Sequence, residues 1–487
     1  MSMGRTGPGT TAEGVGGPLS PRVRSMATAG ALIAVVLASV DVMIVATAMP
    51  DIIDELGGLE LYPWVGVSYG VVAAAFIPVA GKLGDMFGRK PFILAGLLAF
   101  VLSSLLAAVA RDMGVLVAGR TLQGVGAAVL TANVFALLGE MYSAERRAQV
   151  QGVFFSASGF SMVIGPPLGG LLTDALGWRW IFYINAPLCA LAFVAMLGIP
   201  LARSAASWRD IDFLGVLTLL CGIGPLLAAV SLAGEGRSWG APEVLVPLVA
   251  GVLVLVLFYL VETRVATHPV LDFSLFRVNQ VAVLSVVAFF SSFAMAATTF
   301  YVPLLYQGVL GVSATASGGL LIPIAAAMML VPPVVGKLLP SVPRYRFLGT
   351  AAFAAMVGGL LLLTLVDPGS GGVLPVVAMV LVGIGIGVSF PLATTVVQSA
   401  VPPERLGVGT SLVQFWRTVA APVSIAVLGA FLGSGVQADG TTAVPPAELA
   451  GAMHQVFLVG AVLTAIGLVA TLLLSEVPLK APPKPGK

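Results

Sequence analysis

Apolar residues recur along this chain in long unbroken runs, separated by short stretches where charged, glycine and proline residues gather. A run of about twenty apolar residues is long enough to cross a bilayer as a helix, and the chain holds fourteen candidates. The first six cover residues 26–49, 64–80, 92–110, 115–139, 150–172 and 180–197. Two plainer runs, 213–232 and 244–261, carry almost no polar residue. The last six are 281–305, 314–335, 347–366, 373–396, 407–432 and 456–474. Between the second and third runs lies a tight, charged, glycine-rich connection, residues 81–90, whose shortness predicts two adjacent antiparallel helices.

Composition fits that pattern. Of 487 residues, 58% are hydrophobic and only 9% charged, with a mean hydropathy of +1.04, which excludes an ordinary soluble domain. The class is an all-α polytopic membrane protein. A formal net charge of +2 points to no nucleic-acid partner. Cys189 and Cys221 both fall inside apolar runs, so no disulfide framework is suggested. His268 and His454 stand too far apart in sequence to suggest a metal site. Residues 1–25, rich in Gly, Pro, Thr and Ser, read as a disordered cytoplasmic tail, and residues 476–487 as a second, shorter one. Without an early charged region and cleavage site, the first run reads as a retained span rather than a signal peptide.

Charge placement orients the spans. With the N-terminus inside, the inner connections collect Arg22, Arg24, Lys82, Arg89, Lys90, Arg146, Arg147, Arg203, Arg209, Arg264, Arg277, Lys337, Arg344, Arg346 and Arg405. The outer ones receive only Arg111, Arg179 and Arg237, and the first outer loop is acidic. That asymmetry is the positive-inside pattern, so both termini are expected in the cytoplasm. An internal repeat also shows: Pro78-Val-Ala-Gly-Lys-Leu realigns with Pro333-Val-Val-Gly-Lys-Leu, and Arg89 falls opposite Arg344. Asp85 is matched only by Pro340, so the second copy has decayed. The expectation is two related six-helix units, residues 26–199 and 273–475, with two helices inserted between them in residues 200–272.

Four motifs carry a family resemblance. Gly81-Lys-Leu-Gly-Asp-Met-Phe-Gly-Arg-Lys resembles the loop motif of the major facilitator superfamily, with Met86 where a basic residue is common. Gly165-Pro-Pro-Leu-Gly-Gly resembles the antiporter motif of that superfamily's drug/proton exporters. That motif runs on through residues 172–187 as in the fourteen-span drug:proton antiporter branch, and residues 41–51 are similar to that branch's first-helix signature. Arg120-Thr-Leu-Gln-Gly-Val-Gly resembles a fourth. The resemblance covers about residues 26–475. It implies a major-facilitator fold and an exporter driven by the proton gradient, with no cofactor. It also implies a latch in which Asp85, Arg89 and Lys90 join the two bundles at the cytoplasmic side, with Gly81 and Gly88 permitting the turn. Gly165, Pro166, Gly169 and Gly170 would form a tight seam that favours exchange over uptake.

The residues themselves support part of this. Asp41 is the only acid well inside an apolar run, and a carboxylate at that depth is costly unless it faces protein or water, so a function is expected. It lies about fifteen residues, or roughly 22 Å, along the first helix. Arg120 sits near the outer end of the fourth run, at similar depth, which allows an ion pair. A proton carrier must be charged and paired in one state and neutral in another. Asp85 is placed at the start of the third helix, where an acid suits the N-terminus. Arg417, near the middle of the thirteenth run, faces no obvious acid and could bind an anionic group or backbone carbonyls. Gln123, Asn133, Gln398, Gln414 and Trp416 are further polar or amphipathic residues inside runs, and Phe289 suits a greasy cavity. These, with Arg417, are the candidate substrate-cavity residues.

The leading expectation is a monomeric proton-coupled antiporter in a bacterial cell membrane, exporting amphipathic or hydrophobic compounds. Export or flipping of an endogenous lipid, or proton-coupled uptake, are the alternatives. An enzyme would need clustered acids, a metal site or a nucleophile at one membrane face, and no phosphate-binding Gly-x-x-x-x-Gly-Lys-Ser/Thr motif is present.

Overall fold

The computed structural model describes residues 20–58, 61–200, 211–234, 236–266, 269–309, 321–342, 344–367, 372–435 and 446–476. All fourteen expected spans are helices: α1 Pro21–Leu56, α2 Trp64–Phe87, α3 Arg89–Ala108, α4 Met113–Met141, α5 Arg146–Leu176, α6 Trp180–Leu197 and α7 Phe213–Gly234. They continue as α8 Pro242–Arg264, α9 Asn279–Gln307, α10 Ile322–Ser341, α11 Tyr345–Leu363, α12 Val373–Ala400, α13 Pro403–Leu432 and α14 Glu448–Leu472. Most outrun their apolar cores by a turn or more, because a helix continues past the hydrocarbon wherever its backbone bonds can be met. The helix α1 begins at Pro21, capped by Ser20, inside the stretch expected to be a tail. The rest of that tail, residues 477–487 of the other, His268, and the start of the tenth run lie outside the described residues.

An even number of crossings leaves Pro21 and Leu472 at the same end, the termini face; the other end is the far face. Helices α1–α6 pack among themselves, as do α9–α14, which gives the two six-helix bundles of a major-facilitator fold. The inserted pair α7 and α8 pack on each other, and α7 lies against α2 of one bundle and α13 of the other. Outward faces are apolar, with Leu98, Leu102, Leu253 and Val246 exposed, whereas Asp41, Arg120, Gln123 and Asn185 are buried. That inversion of the soluble pattern suits a surface bathed in lipid tails.

The bundles meet most closely along α5 and α10. A side chain at Gly152 would collide with the backbone of Pro332, and one at Gly336 with that of Ala148. Two backbones in direct contact leave no room for substrate or water, and small residues are what permit it.

The connection at residues 81–90 differs from expectation. Helix α2 runs through Asp85 to Phe87, Gly88 breaks it with φ of 91°, and α3 begins at Arg89. A one-residue corner at positive φ favours glycine. Asp85 therefore lies in the last turn of α2 rather than at the start of α3.

Candidate functional site

The fourth helix organises the buried polar centre. Asp112 caps its start by accepting from the Val115 amide at 2.9 Å, and Gly119 and Gly126 bring it against the backbone of α3. Arg120 and Gln123, one turn apart, then point at α1. Arg120 Nη1 donates to Asp41 Oδ2 at 2.5 Å and to Gln123 Oε1 at 2.6 Å. Asp41 Oδ1 accepts from Gln123 Nε2 at 2.9 Å and Asn185 Nδ2 at 2.8 Å. Asn185 also donates to Ser104 Oγ at 2.7 Å, and Ser104 to the Phe182 carbonyl at 3.1 Å. The carboxylate of Asp41 is thus held by three donors from α4 and α6. Both Asp41 and Arg120 are only 2% exposed. One face of the Arg120 guanidinium is covered by the Tyr69 ring, whose centre lies 4.5 Å away.

At the termini face a second polar cluster joins the bundles. The Asp85 carboxylate accepts from the amides of Gly407 at 2.9 Å and Val408 at 2.8 Å, in the first turns of α13. An acid does suit a helix N-terminus here, but that of α13, a helix of the other bundle. Arg89 donates to Asp85 and to Glu140 (2.8 Å), and to the Gly81 carbonyl at 3.1 Å. A side chain on Gly81 would collide with Ser411 and the Gly407 carbonyl. Lys90 was expected to help bridge the bundles. It instead donates to the carbonyls of Leu197 and Ile199 at the end of α6, within its own bundle. Of the three expected bridging residues, Asp85 crosses; the hydrogen bonds of Arg89 position it.

Gln398 belongs to this closure and not to a substrate cavity. It accepts from Gln151 Nε2 at 2.6 Å and donates to the Phe135 carbonyl at 3.0 Å, while its own carbonyl accepts from Arg147 at 3.1 Å. Asn133, also expected in the cavity, donates to the Ala80 carbonyl at 3.1 Å and braces α4 on α2. Gln123 is absorbed into the Asp41 cluster. Phe289 and Trp416 contact each other, ring centres 6.1 Å apart, between α9 and α13 inside the second bundle.

The glycine motif of α5 is placed differently from its implied role. Gly165 and Gly169 face Met43 and Thr47 of α1, so their seam lies inside the first bundle. Pro166 is exposed, and a side chain at Gly170 would meet open space.

Among the described residues, two cavities are lined by helices of both bundles above the closure. A central one of about 220 Å³ is lined by α1, α2, α4, α5 and α13, including Ala38, Thr131, Phe135, Phe155, Gln414 and Arg417. A larger one of about 570 Å³ occupies the far half, with Met49, Tyr62, Arg120, Phe300 and Pro422 in its wall. Tyr69 and Thr418 line both, so they mark the passage between them. Phe300 comes from a π-helical turn at Ala297–Tyr301 of α9, a local widening often found at functional sites. Of the expected cavity residues, Gln414 and Arg417 line the central space.

Sequence reasoning overlooked Asn185, Ser104, Tyr69, Glu140, Arg147 and Gln151. Asn185 carried a signal, since it lies within the motif at residues 172–187. Ser104, Tyr69 and Gln151 are ordinary residues in or beside apolar runs until their partners are known, and Glu140 and Arg147 read only as charges of an inner connection.

The comparisons agree with this architecture. The signature of the Major Facilitator Superfamily matches residues 31–425. The multidrug transporter protein MdtP of Bacillus subtilis is 32% identical over 84% of this chain and 76% of its own length. Multidrug resistance protein 3 of the same organism is 30% identical over 82% and 78%. An uncharacterized transporter of Mycobacterium tuberculosis, Rv1877, is 34% identical over 98% and 73%. The crystal structure of the human organic anion transporter MFSD10 superposes with a TM-score of 0.67, covering 93% of this chain and all of that one at 15% identity, a likeness of fold. With two six-helix bundles, a buried acid–arginine centre and a family signature spanning most of its length, this chain belongs to the Major Facilitator Superfamily and is a membrane transporter, not an enzyme.

Proposed function

We propose that the protein is a proton-coupled antiporter that exports hydrophobic and amphipathic compounds such as drugs, dyes or antibiotics. It works by alternating access, as a monomer in a bacterial cell membrane with the termini face in the cytoplasm. The observation that carries the reading is the carboxylate of Asp41, buried in the membrane-spanning region and paired with Arg120. The multidrug transporters among its relatives support the class of cargo.

The geometry gives this reading a mechanism. The bundles are closed at the termini face and enclose cavities in the middle and far half, an outward-facing arrangement. A proton arriving from the far-half cavity meets Arg120 before Asp41, because Arg120 forms part of that wall and Asp41 does not. Protonation of Asp41 removes the counter-charge of Arg120. Tyr69, stacked on Arg120 and lining both cavities, transmits the change to the passage between them. Rocking of the bundles breaks the Asp85–α13 bonds and exposes the central cavity to the cytoplasm. Entry of one proton at a potential of about 100 mV supplies about 2.3 kcal/mol.

Proton release from detergent-purified protein, titrated with cationic, neutral and anionic amphiphiles, tests the reading. Release on ligand addition should vanish in Asp41→Asn. Tight binding without any release would remove Asp41 as the site of exchange.

A further inference from the structure

The central cavity holds a cation for which the described protein supplies no anion. Arg417 stands in the middle of α13 and lines this space. Among the described residues no ion pair includes it, and its Nε and Nη2 atoms are buried without a protein partner. No residue lining the cavity is an aspartate or glutamate. The Asp41 carboxylate does not line it and is already held by Arg120, Gln123 and Asn185.

The surroundings of Arg417 dictate what would complete it. Its guanidinium lies 3.8 Å from the ring centre of Phe390, on α12, and 5.2 Å from that of Phe155, on α5. Aromatic faces hold a cation but leave its in-plane N–H groups unsatisfied. A planar oxyanion meets two of those groups at once, which is the geometry guanidinium binds best. Gln414, one turn earlier on the same wall, has an Oε1 without a protein partner; turned over, its amide donates to the same oxyanion. Around these polar atoms the wall is apolar, from Ala38 and Phe135 among others. A dry cavity of about 150 Å³ holds benzene, so about 220 Å³ holds an aromatic ring carrying an acid group.

We propose that this cavity is a binding site for small amphipathic anions, an aromatic body bearing a carboxylate or sulfonate, with Arg417 as the residue that selects their charge. The inference rests on the export reading above and narrows its cargo. A ligand at Arg417 also touches both bundles, since Phe155 belongs to the first and Arg417 to the second. Bound anion therefore occupies the joint that must open.

Binding of three matched probes to the purified full chain decides the matter: naphthoate, its methyl ester, and a naphthylmethyl-trimethylammonium ion. Naphthoate should bind at least about tenfold more tightly than the ester, and the quaternary cation weakest. Arg417→Gln should abolish the preference for naphthoate by weakening naphthoate far more than the ester, and Arg417→Lys should keep part of it. Equal or tighter binding of the cation by the unaltered chain overturns the proposal, whatever the variants do. So does a naphthoate preference that survives Arg417→Gln. Reconstituted vesicles separate the two readings. If the ester and the cation are exported but naphthoate is not, the anion site fails and the exporter stands. If the chain moves none of the three, nor any dye, the export reading fails and takes this one with it.

Discussion

The two bundles each place an arginine inside the spanning region, and they treat it in opposite ways. Arg120 in the first bundle is met by a carboxylate, a glutamine and an aromatic face, and every partner comes from helices of the same bundle. Arg417 in the second is met by two phenyl faces and, among the described residues, no acid. The first is a closed circuit, with both carboxylate oxygens of Asp41 already bonded inside the bundle. The second is open and can be completed by something that arrives. In the mechanism we propose, that difference in where the counter-charge resides divides the labour between energy coupling at Asp41 and cargo at Arg417.

The largest effect should come from opening the closed circuit. Arg120→Gln leaves Asp41 buried without its counter-ion, which typically costs about 3–5 kcal/mol. Thermal unfolding in detergent should show a large loss of stability or no folded protein; an unchanged melting temperature would mean the circuit is not closed. Next is Asn185→Ala, which removes one of three donors to the same carboxylate and should cost about 1.5–3 kcal/mol in the same assay. Asp85→Asn weakens two charge-assisted bonds across the termini face, about 1–2 kcal/mol, or roughly tenfold in the balance between closed and open forms. Maleimide labelling of Ser411→Cys, beside Gly81 in that closure, should then accelerate by a similar factor. Arg417→Gln should change stability by less than about 1 kcal/mol, since no buried partner is left unpaired. A loss as large as that of Arg120→Gln would erase the contrast. Smallest is Glu243→Gln, which breaks the pair with Arg237 at 2.8 Å, where both side chains are more than half exposed at 62% and 53%. Solvent screening keeps that change within about 0.5 kcal/mol, and the value calibrates how much of the Arg120 effect comes from burial.

Asp41 and Arg120 could be paired from sequence because two positions on antiparallel helices share a depth if their distances from the helix ends correspond. The same reasoning could not place Gln123, Asn133 and Gln398, which share polarity and an apolar setting but went to three different tasks. Gln398 bonds to residues 247 and 263 positions away. Asp85 shows the limit most clearly. Its chemistry, an acid at a helix N-terminus, was legible, but the amide it meets, that of Gly407, lies 322 residues later. Lys90, in the same motif, satisfies carbonyls at the end of α6 instead.

What the sequence determined by itself is the number and order of the spans and the least length each must have. Hydrocarbon leaves no backbone group unpaired, so each apolar run must close its own hydrogen bonds as a helix, and the bilayer sets how long that run must be. What only the tertiary structure decided is which face of each helix meets which neighbour. These helices are apolar nearly all round, because lipid and packed helices make similar demands, so no stripe marks the inward face. The pairing of Asp41, the crossing of Asp85 and the unpaired state of Arg417 are properties of the assembled bundles.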